Sequence, residues 1–258
     1  MAKCDQKTES KKINILLVGY GKMGRIIHEN VSFINGEVVS IYDSNIPEYS
    51  NAWETLDFQK IDVAIEFTHP VSGFENVKRL LSQKIPVVTG TTGWFHKVDE
   101  LKKKYDSNEH TLIYGANFSI GMNLFYEILA ESTNLINNAG LYDVYGYEAH
   151  HRLKADSPSG TAKVLADIIL SNTSNKDKTV FDLNNKPLNE NEFSFASVRA
   201  GNVVGYHEIG FDSDFDEIKI IHNAKNRKGF ALGALMAAKY ALCNRGFMDF
   251  KDIFRGVL

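Results

Sequence analysis

Two histidines, a lysine, an arginine and two acids crowd the stretch Glu148-Ala149-His150-His151-Arg152-Leu153-Lys154-Ala155-Asp156, and Ser157-Pro158-Ser159-Gly160-Thr161 follows at once. Imidazole and ammonium groups are the side chains best suited to hand a proton to a bound molecule. Ser159-Gly160-Thr161 opens an amphipathic run, Thr161 to Leu170, whose spacing predicts a helix. A helix N-terminus presents unpaired backbone N–H groups and a partial positive charge, so it holds anions such as carboxylates. The combination points to a site that binds a small acid and protonates it. Neighbouring residues at a strand end face opposite sides, so His150 and His151 are expected to divide the work, one acting chemically and the other binding. A plainer reading stays open: a neutral surface pair of histidines, with Asp156 to Gly160 only a turn and a helix cap. No metal is expected, because the histidines lack a matched carboxylate or thiolate set.

A second constellation lies near the start. Gly19-Tyr20-Gly21-Lys22-Met23-Gly24 follows the apolar run Ile13 to Val18 and opens a helical pattern from Met23 to Phe33. In such a loop Gly19 permits the tight turn, Gly21 lets the backbone approach a pyrophosphate, and Gly24 lets helix and strand pack closely. Asp43 lies 19 residues beyond Gly24, at the end of a second strand from Glu37 to Tyr42, where a carboxylate accepts both ribose hydroxyls of an adenosine. That carboxylate repels a 2′-phosphate, and Ser44 rather than an arginine follows it. NADH is therefore expected in preference to NADPH, with Lys22 or Arg25 left to meet the phosphate if NADPH is taken. Three more loops stand at the carboxyl ends of predicted strands, where ligands of open α/β sheets bind. They are Glu66-Phe67-Thr68-His69-Pro70, Gly90-Thr91-Thr92-Gly93 and Gly115-Ala116-Asn117-Phe118-Ser119. Their small residues admit a flat ring, their amides can bind a carboxamide, and Phe67 is placed to line the ring's site. Turn chemistry with helix caps at Thr92 or Ser119 accounts for the glycine loops equally well.

The elements that must carry these residues read as two halves. Asp62 to Phe67, Pro86 to Thr89 and Thr111 to Tyr114 are further strands, and Val71 to Ser82 and Trp94 to Tyr105 are helices, so strand and helix alternate as in a doubly wound parallel sheet. After Gly121 the pattern changes. A long helix, Met122 to Asn138, precedes a strand, Tyr142 to Ala149. A polar loop runs from Ser171 to Glu192. Phe193 to Arg199, Val203 to Gly210 and Glu217 to His222 read as three antiparallel strands joined by short turns, and Phe230 to Asn244 as an Ala/Leu-rich helix. His207 and His222 fall in strands and are assigned to core or interface packing. His28, His96 and His110 are assigned to solvated or capping positions.

Composition narrows the function classes. At 258 residues, 43% of them hydrophobic, the chain can build full cores, and a net charge of -3 favours neither nucleic acid nor an anionic membrane. Cys4 and Cys243 form no disulfide framework or metal spacing, and Cys243 is expected to be a buried inert thiol. Met1 to Lys12 is polar, without the apolar segment of a secretory signal, and no apolar run is long enough to cross a bilayer. The expected location is cytoplasmic.

From Ile13 onward the chain resembles the dihydrodipicolinate reductase family, of the diaminopimelate branch of lysine biosynthesis. The stretch Glu148 to Ala162 agrees with the family pattern E-x-H-x-x-x-K-x-D-x-P-S-G-T-A at every fixed position. Gly21-Lys22-Met23-Gly24-Arg25, Glu66-Phe67-Thr68, Gly90-Thr91-Thr92-Gly93 and Ala116-Asn117-Phe118-Ser119 also agree, in order. So do Arg199-Ala200-Gly201 with Val204-Gly205 and His207, and His222 with Arg227. The resemblance implies an α/β chain in two parts. A Rossmann-type dinucleotide-binding domain, 1–121 completed by 231–258, would join a mixed α/β substrate and oligomerisation domain, 122–230. It implies a homotetramer and reduction of 4-hydroxy-tetrahydrodipicolinate by NAD(P)H. His150 would be the acid/base histidine and Lys154 the proton donor, while His151, Gly160, Thr161 and Arg227 would hold the dicarboxylate substrate. An aspartate or homoserine dehydrogenase relative would share the architecture without predicting the Lys154–Thr161 arrangement. A non-catalytic NAD(H) sensor would keep the glycine loop without needing proton donors.

Overall fold

The structure, a computed structural model, describes residues 11–50 and 52–258. The expectations for Cys4 and for most of the polar leader lie outside the described residues. The chain divides into two compact units, one running to Ile120 and resuming at Arg227–Leu258, the other Gly121–Asn226.

In the first unit β1 (Ile13–Val18) leads through the glycine loop to α1 (Lys22–Glu29) and β2 (Gly36–Tyr42). A short α2 (Ala52–Thr55) precedes β3 (Val63–Glu66), α3 (Pro70–Ser82), β4 (Val87–Thr89), α4 (Val98–Lys104) and β5 (Thr111–Tyr114). β1 shows why this sheet is covered on both faces. Ile13, Ile15 and Leu17 enter one apolar cluster while Leu16 and Val18 enter another, as period-two alternation in a doubly covered parallel strand requires.

The second unit begins within α5 (Ile120–Ala139) and continues through β6 (Asp143–His150), α6 (Gly160–Asn172), β7 (Lys178–Val180), β8 (Glu192–Arg199), β9 (Tyr206–Asp212) and β10 (Glu217–Asn223). Its sheet has the order β10-β9-β6-β8-β7. This corrects the expected run of three antiparallel strands: β6 lies between β8 and β9 and pairs in parallel with β8, while β9 pairs antiparallel to both β6 and β10. Parallel pairing follows from the chain crossing through α6, since parallel neighbours need a long crossover. The polar stretch read as a loop also contains β7, three residues too short to show alternation. Val144 on β6 packs with Phe193, Phe195, Ile209 and Phe211 against Met122, Phe125 and Leu129 of α5 and Leu165 and Ile169 of α6.

The chain then returns to the first unit with α7 (Lys228–Cys243), β11 (Gly246–Asp249) and α8 (Phe250–Val257). The six strands lie in the order β11-β5-β4-β3-β1-β2, and every pair among them is parallel. Strand order reverses between β1 and β3, so the glycine loop stands at the switch point where such sheets bind ligands. The small residues of α7 bring it close: a Cβ on Gly233 would stand 1.9 Å from the Phe118 carbonyl oxygen. Cys243, at the end of α7, is half-buried and disulfide-bonded, which corrects the expectation of a buried free thiol. β11 and α8 were not anticipated, because the four residues of β11 carry no clear periodicity.

Candidate active site

In the second unit the proton-bearing residues converge on Glu148. This carboxylate is 0% exposed and shares the core face of β6 with Val144, Gly146 and His150. Its Oε1 accepts hydrogen bonds from the Ser159 N–H at 2.9 Å, the Ser197 hydroxyl at 2.8 Å and Arg199 Nη2 at 3.0 Å. Its Oε2 accepts one from the Ser159 hydroxyl and stands 3.5 Å from His150 Nδ1 and 3.5 Å from His207 Nε2. Burial alone would raise this carboxyl, but the contacts from His207, Ser159 and Ser197 outweigh it and hold the group well below the usual carboxylate range.

Ser159 links this centre to the helix. Its hydroxyl donates to Glu148 and accepts from the Ala162 N–H at 3.1 Å, so it is the N-cap of α6. Gly160 and Thr161 form the first turn beyond that cap, Gly160 exposed and Thr161 half-exposed. A cap tied to a buried carboxylate holds the first turn's N–H groups in place, as a carboxylate-binding helix end requires. The plain-cap reading of Asp156 to Gly160 is thus half of the matter: the cap exists, and it is anchored to the histidine cluster.

His150 ends β6, and its side chain is 10% exposed. Burial pushes its imidazole down to about 4, opposed by the Glu148 carboxylate and reinforced by the positive charge of His207, Lys154 and Arg199. His151 begins the loop, half-exposed, so the two histidines part as the strand rule predicts. Lys154 Nζ lies 2.9 Å from Asp156 Oδ1. Burial would raise the Asp156 carboxyl, but the hydrogen bond and charge of Lys154 prevail and lower it.

Sequence reasoning missed Arg199, Ser197 and His207 as members of this centre. His207 was assigned to packing; it is 3% exposed and stands directly across from Glu148 in the β6–β9 register. The available signal was the alternation of β6, which puts an unexplained carboxylate on the core face, but the pairing partner is a tertiary fact. The reason given for excluding a metal is also corrected, because Glu148, His150 and His207 present ligand atoms within 4.8 Å of one another. The donor types fit a cation; the charge does not, since the Arg199 guanidinium already neutralises Glu148.

In the first unit the loops at the carboxyl ends of β1, β3, β4 and β5 meet. Gly19 has φ +94°, and a Cβ there would stand 2.1 Å from the Phe67 carbonyl oxygen. Gly24 is equally confined, its Cβ position 2.2 Å from the Gly19 carbonyl oxygen, whereas the position at Gly21 meets nothing within 4 Å. The loop is therefore packed at both ends and open in the middle. Gly21 caps α1 with no side-chain hydrogen bond, so the first N–H groups of α1 face that opening. This is a fitting cradle for a dinucleotide pyrophosphate. Lys22 is exposed, Met23 half-buried, and the Tyr20 hydroxyl meets His28 Nδ1 at 2.8 Å, so His28 is partnered rather than merely solvated. Asp43 Oδ2 accepts the Tyr20 N–H at 2.7 Å and Oδ1 the Asn45 N–H at 2.9 Å. Each oxygen retains a lone pair for a hydroxyl.

A cavity of about 250 Å³ is lined by Met23, Phe67, Gly90, Gly115, Ala116, Phe118, Arg227 and Phe230. It joins five of the expected cofactor residues from three loops to Met23. It also includes Arg227, the expected substrate-carboxylate residue, which is the N-cap of α7 in the first unit. Thr91 is turned away: its hydroxyl donates to Glu66 at 2.9 Å and accepts the Thr68 N–H at 2.8 Å. Thr92 is exposed. Just ahead of α5, Asn117 Oδ1 accepts the Ser119 N–H at 2.9 Å. His110 is buried, not solvated, and His96 is exposed.

Comparison with known proteins agrees over almost the whole length. Family models described as dihydrodipicolinate reductase, N-terminus, and dihydrodipicolinate reductase, C-terminus, match residues 13–118 and 121–254. A 4-hydroxy-tetrahydrodipicolinate reductase of Christiangramia forsetii is 38% identical over 244 residues, 93% of this chain and 97% of the relative. The enzyme of the same name from Rickettsia bellii is 37% identical over 230 residues, 88% of each chain. Among solved structures, a dipicolinate-bound dihydrodipicolinate reductase from Paenisporosarcina sp. TG-14 superposes with a TM-score of 0.75, at 22% identity, over 94% of this chain and all of that one. An amine dehydrogenase from Mycobacterium smegmatis shares the fold, with a TM-score of 0.58 at 10% identity over 95% of this chain and 96% of the other. With both family models matched and relatives above 30% identity covering most of its length, the chain belongs to the 4-hydroxy-tetrahydrodipicolinate reductase family of oxidoreductases.

Proposed function

We propose that the protein reduces 4-hydroxy-tetrahydrodipicolinate to tetrahydrodipicolinate with a nicotinamide nucleotide, in the diaminopimelate route to lysine. The observation that carries this reading is the Ser159 cap: one hydroxyl joins an anion-binding helix end to the carboxylate that also touches His150. Gly160 and Thr161 would hold a substrate carboxylate on their amides, with His151 beside them. The first unit would hold the nucleotide, and the second the substrate and the subunit contacts of a cytoplasmic homotetramer.

The reduced nicotinamide, when bound, supplies a hydride. Gly19, Tyr20, Gly21, Lys22, Met23 and Gly24 would cradle the pyrophosphate. Phe67, Gly90, Gly115, Ala116, Asn117 and Phe118 would enclose the ring, with Thr91 and Thr92 completing the loop and Arg227 assisting from the cavity wall. Asp43 would take the ribose hydroxyls and favour NADH over NADPH. Loss of the 4-hydroxyl as water gives a conjugated cyclic imine, and hydride addition to it leaves an enamine-like anion that must be protonated on carbon. Lys154 would supply that proton, its ammonium also stabilising the developing charge. His150 is neutral near pH 7 without ligand, because its imidazole is pushed down to about 4. Two carboxylates arriving at α6 would favour its protonated form, so substrate binding itself prepares the imidazole.

The test is a coupled assay in which the preceding aldol-type condensation generates substrate and nicotinamide absorbance is followed with NADH and NADPH in turn. Consumption of nucleotide only when substrate is present is the expected result; its absence with both nucleotides overturns the reading.

A further inference from the structure

We propose that His207 is a positioning residue for proton transfer: it shares one carboxylate oxygen of Glu148 with His150, and this shared contact fixes His150 with Nδ1 toward the carboxylate and Nε2 toward Gly205. The inference rests on the catalytic reading of His150 given above.

The geometry is specific. His150 Nδ1 and His207 Nε2 each lie 3.5 Å from Glu148 Oε2. The two rings meet edge to face, with centroids 5.0 Å apart and planes at 74°. Neither His207 nitrogen nor His150 Nδ1 has a hydrogen-bond partner among the described residues, although His207 is 3% and His150 8% exposed. Buried imidazoles are seldom left so, and among the described residues the carboxylate oxygen paired with both rings is Glu148 Oε2. On the other edge of the His150 ring Nε2 faces Gly205, where a Cβ would stand 3.4 Å away, at ordinary contact distance.

The strand register explains why three distant residues meet. Ser197 on β8, Glu148 on β6, His207 on β9 and His222 on β10 lie directly opposite one another in succession, forming one transverse row on the face that packs against α5 and α6. Arg199 pairs with His150 in the adjacent row. The charged and titratable groups that face His150 are thereby placed: Glu148 on its own strand, Arg199 on β8, His207 on β9 and Lys154 in the following loop, with His222 across from His207 on β10. Glu148 Oε1 is saturated by Ser159, Ser197 and Arg199, which keeps the carboxylate ionised and rigid. Its remaining oxygen faces Nδ1 at 3.5 Å, which favours the proton on that nitrogen, and the tautomer that results leaves Nε2 bare to accept or relay a proton. Positive charge on the His207 side of the shared oxygen opposes positive charge on His150.

Nitrogen-15 shifts of the His150 ring, measured without substrate, test this directly. The native protein at pH 7.5 is expected to carry the His150 proton on Nδ1. In His207→Phe, which keeps a ring and removes both nitrogens, the His150 titration midpoint is expected to rise, because a competing positive charge is gone and Oε2 is left to His150. The pH profile of kcat should move with that midpoint. kcat should fall on the order of tenfold, as is usual when a partner that orients a functional imidazole is lost, with KM for NADH unchanged. His207→Gln, which retains an N–H donor toward Oε2, should recover part of kcat. A proton on Nε2 in the native protein, or a titration curve and kcat profile in His207→Phe that superimpose on the native ones, overturns the proposal. The native tautomer decides the matter even if His207→Phe does not fold. Loss of turnover in the native protein would strike the proposed function instead, leaving the nitrogen-15 result intact.

Discussion

Acid should weaken the second unit in a window set by His150. Its folded imidazole is depressed from 6.5 to about 4. A base that is harder to protonate in the folded state binds fewer protons there than in the unfolded chain, so stability falls as pH drops between those two values. The side chain is 10% exposed, so solvent screens little of the effect. At 1.36 kcal/mol per pKa unit, the full depression corresponds to about 3 kcal/mol lost between pH 6.5 and 4. Glu148 acts in the same sense: its depressed carboxyl contributes stability above the ordinary glutamate range and surrenders it as pH falls further. His150→Asn isolates the histidine, because an amide can still donate to Glu148 yet does not titrate. Native protein and His150→Asn would be unfolded in urea at pH 7.5, 6.5, 5.5 and 4.5, following far-UV circular dichroism and hydrogen exchange at the β6 and β9 amides. The native protein should lose about 2–3 kcal/mol more than the variant across the lower three values. Parallel stability curves would refute the assigned burial and charge of His150, whatever the absolute stabilities.

Three further outcomes follow from the sites. Lys154→Ala and His150→Ala should each lower kcat by about 10²–10⁴-fold, the usual range for a proton donor, with NADH binding by calorimetry unchanged; undiminished turnover in both variants would remove proton delivery from this segment. Asp43→Ala removes acceptors for the Tyr20 and Asn45 N–H groups as well as for ribose. NADH affinity should fall about 10- to 100-fold, in line with about 1.5–3 kcal/mol for a hydrogen bond to a charged group, and discrimination against NADPH should relax; calorimetry giving unchanged affinities for both nucleotides would take Asp43 out of the site. Gly24→Ala places a Cβ 2.2 Å from the Gly19 carbonyl oxygen. The helix gains about 1 kcal/mol of propensity but must move away from β1, so thermal stability should change little or fall while nucleotide affinity drops sharply; native NADH affinity in the variant would contradict the packed loop.

Much of the first unit is legible in the chain, because its signals are local. A glycine loop between an apolar run and a helical run, and an acid after the next strand, are fixed by spacing along a backbone whose elements need only neighbours in sequence. β1 and β5 fall on the expected residues, and β2, β3 and β4 within one or two of them. The same holds for Ser159-Gly160-Thr161, where the cap and helix start are read from adjacent residues. What tertiary structure decided is pairing across distance. Nothing in the run Val203 to Gly210 tells that His207 will lie opposite Glu148, because register depends on which strand becomes the neighbour, and β6 inserts itself between β8 and β9. Nor does spacing show that Thr91 turns to Glu66 or that Arg227 joins the wall around Phe67. A side chain's chemistry is set by residue type, but its charge and direction are set by burial and by the groups that face it, and those exist only once the strands have chosen their partners.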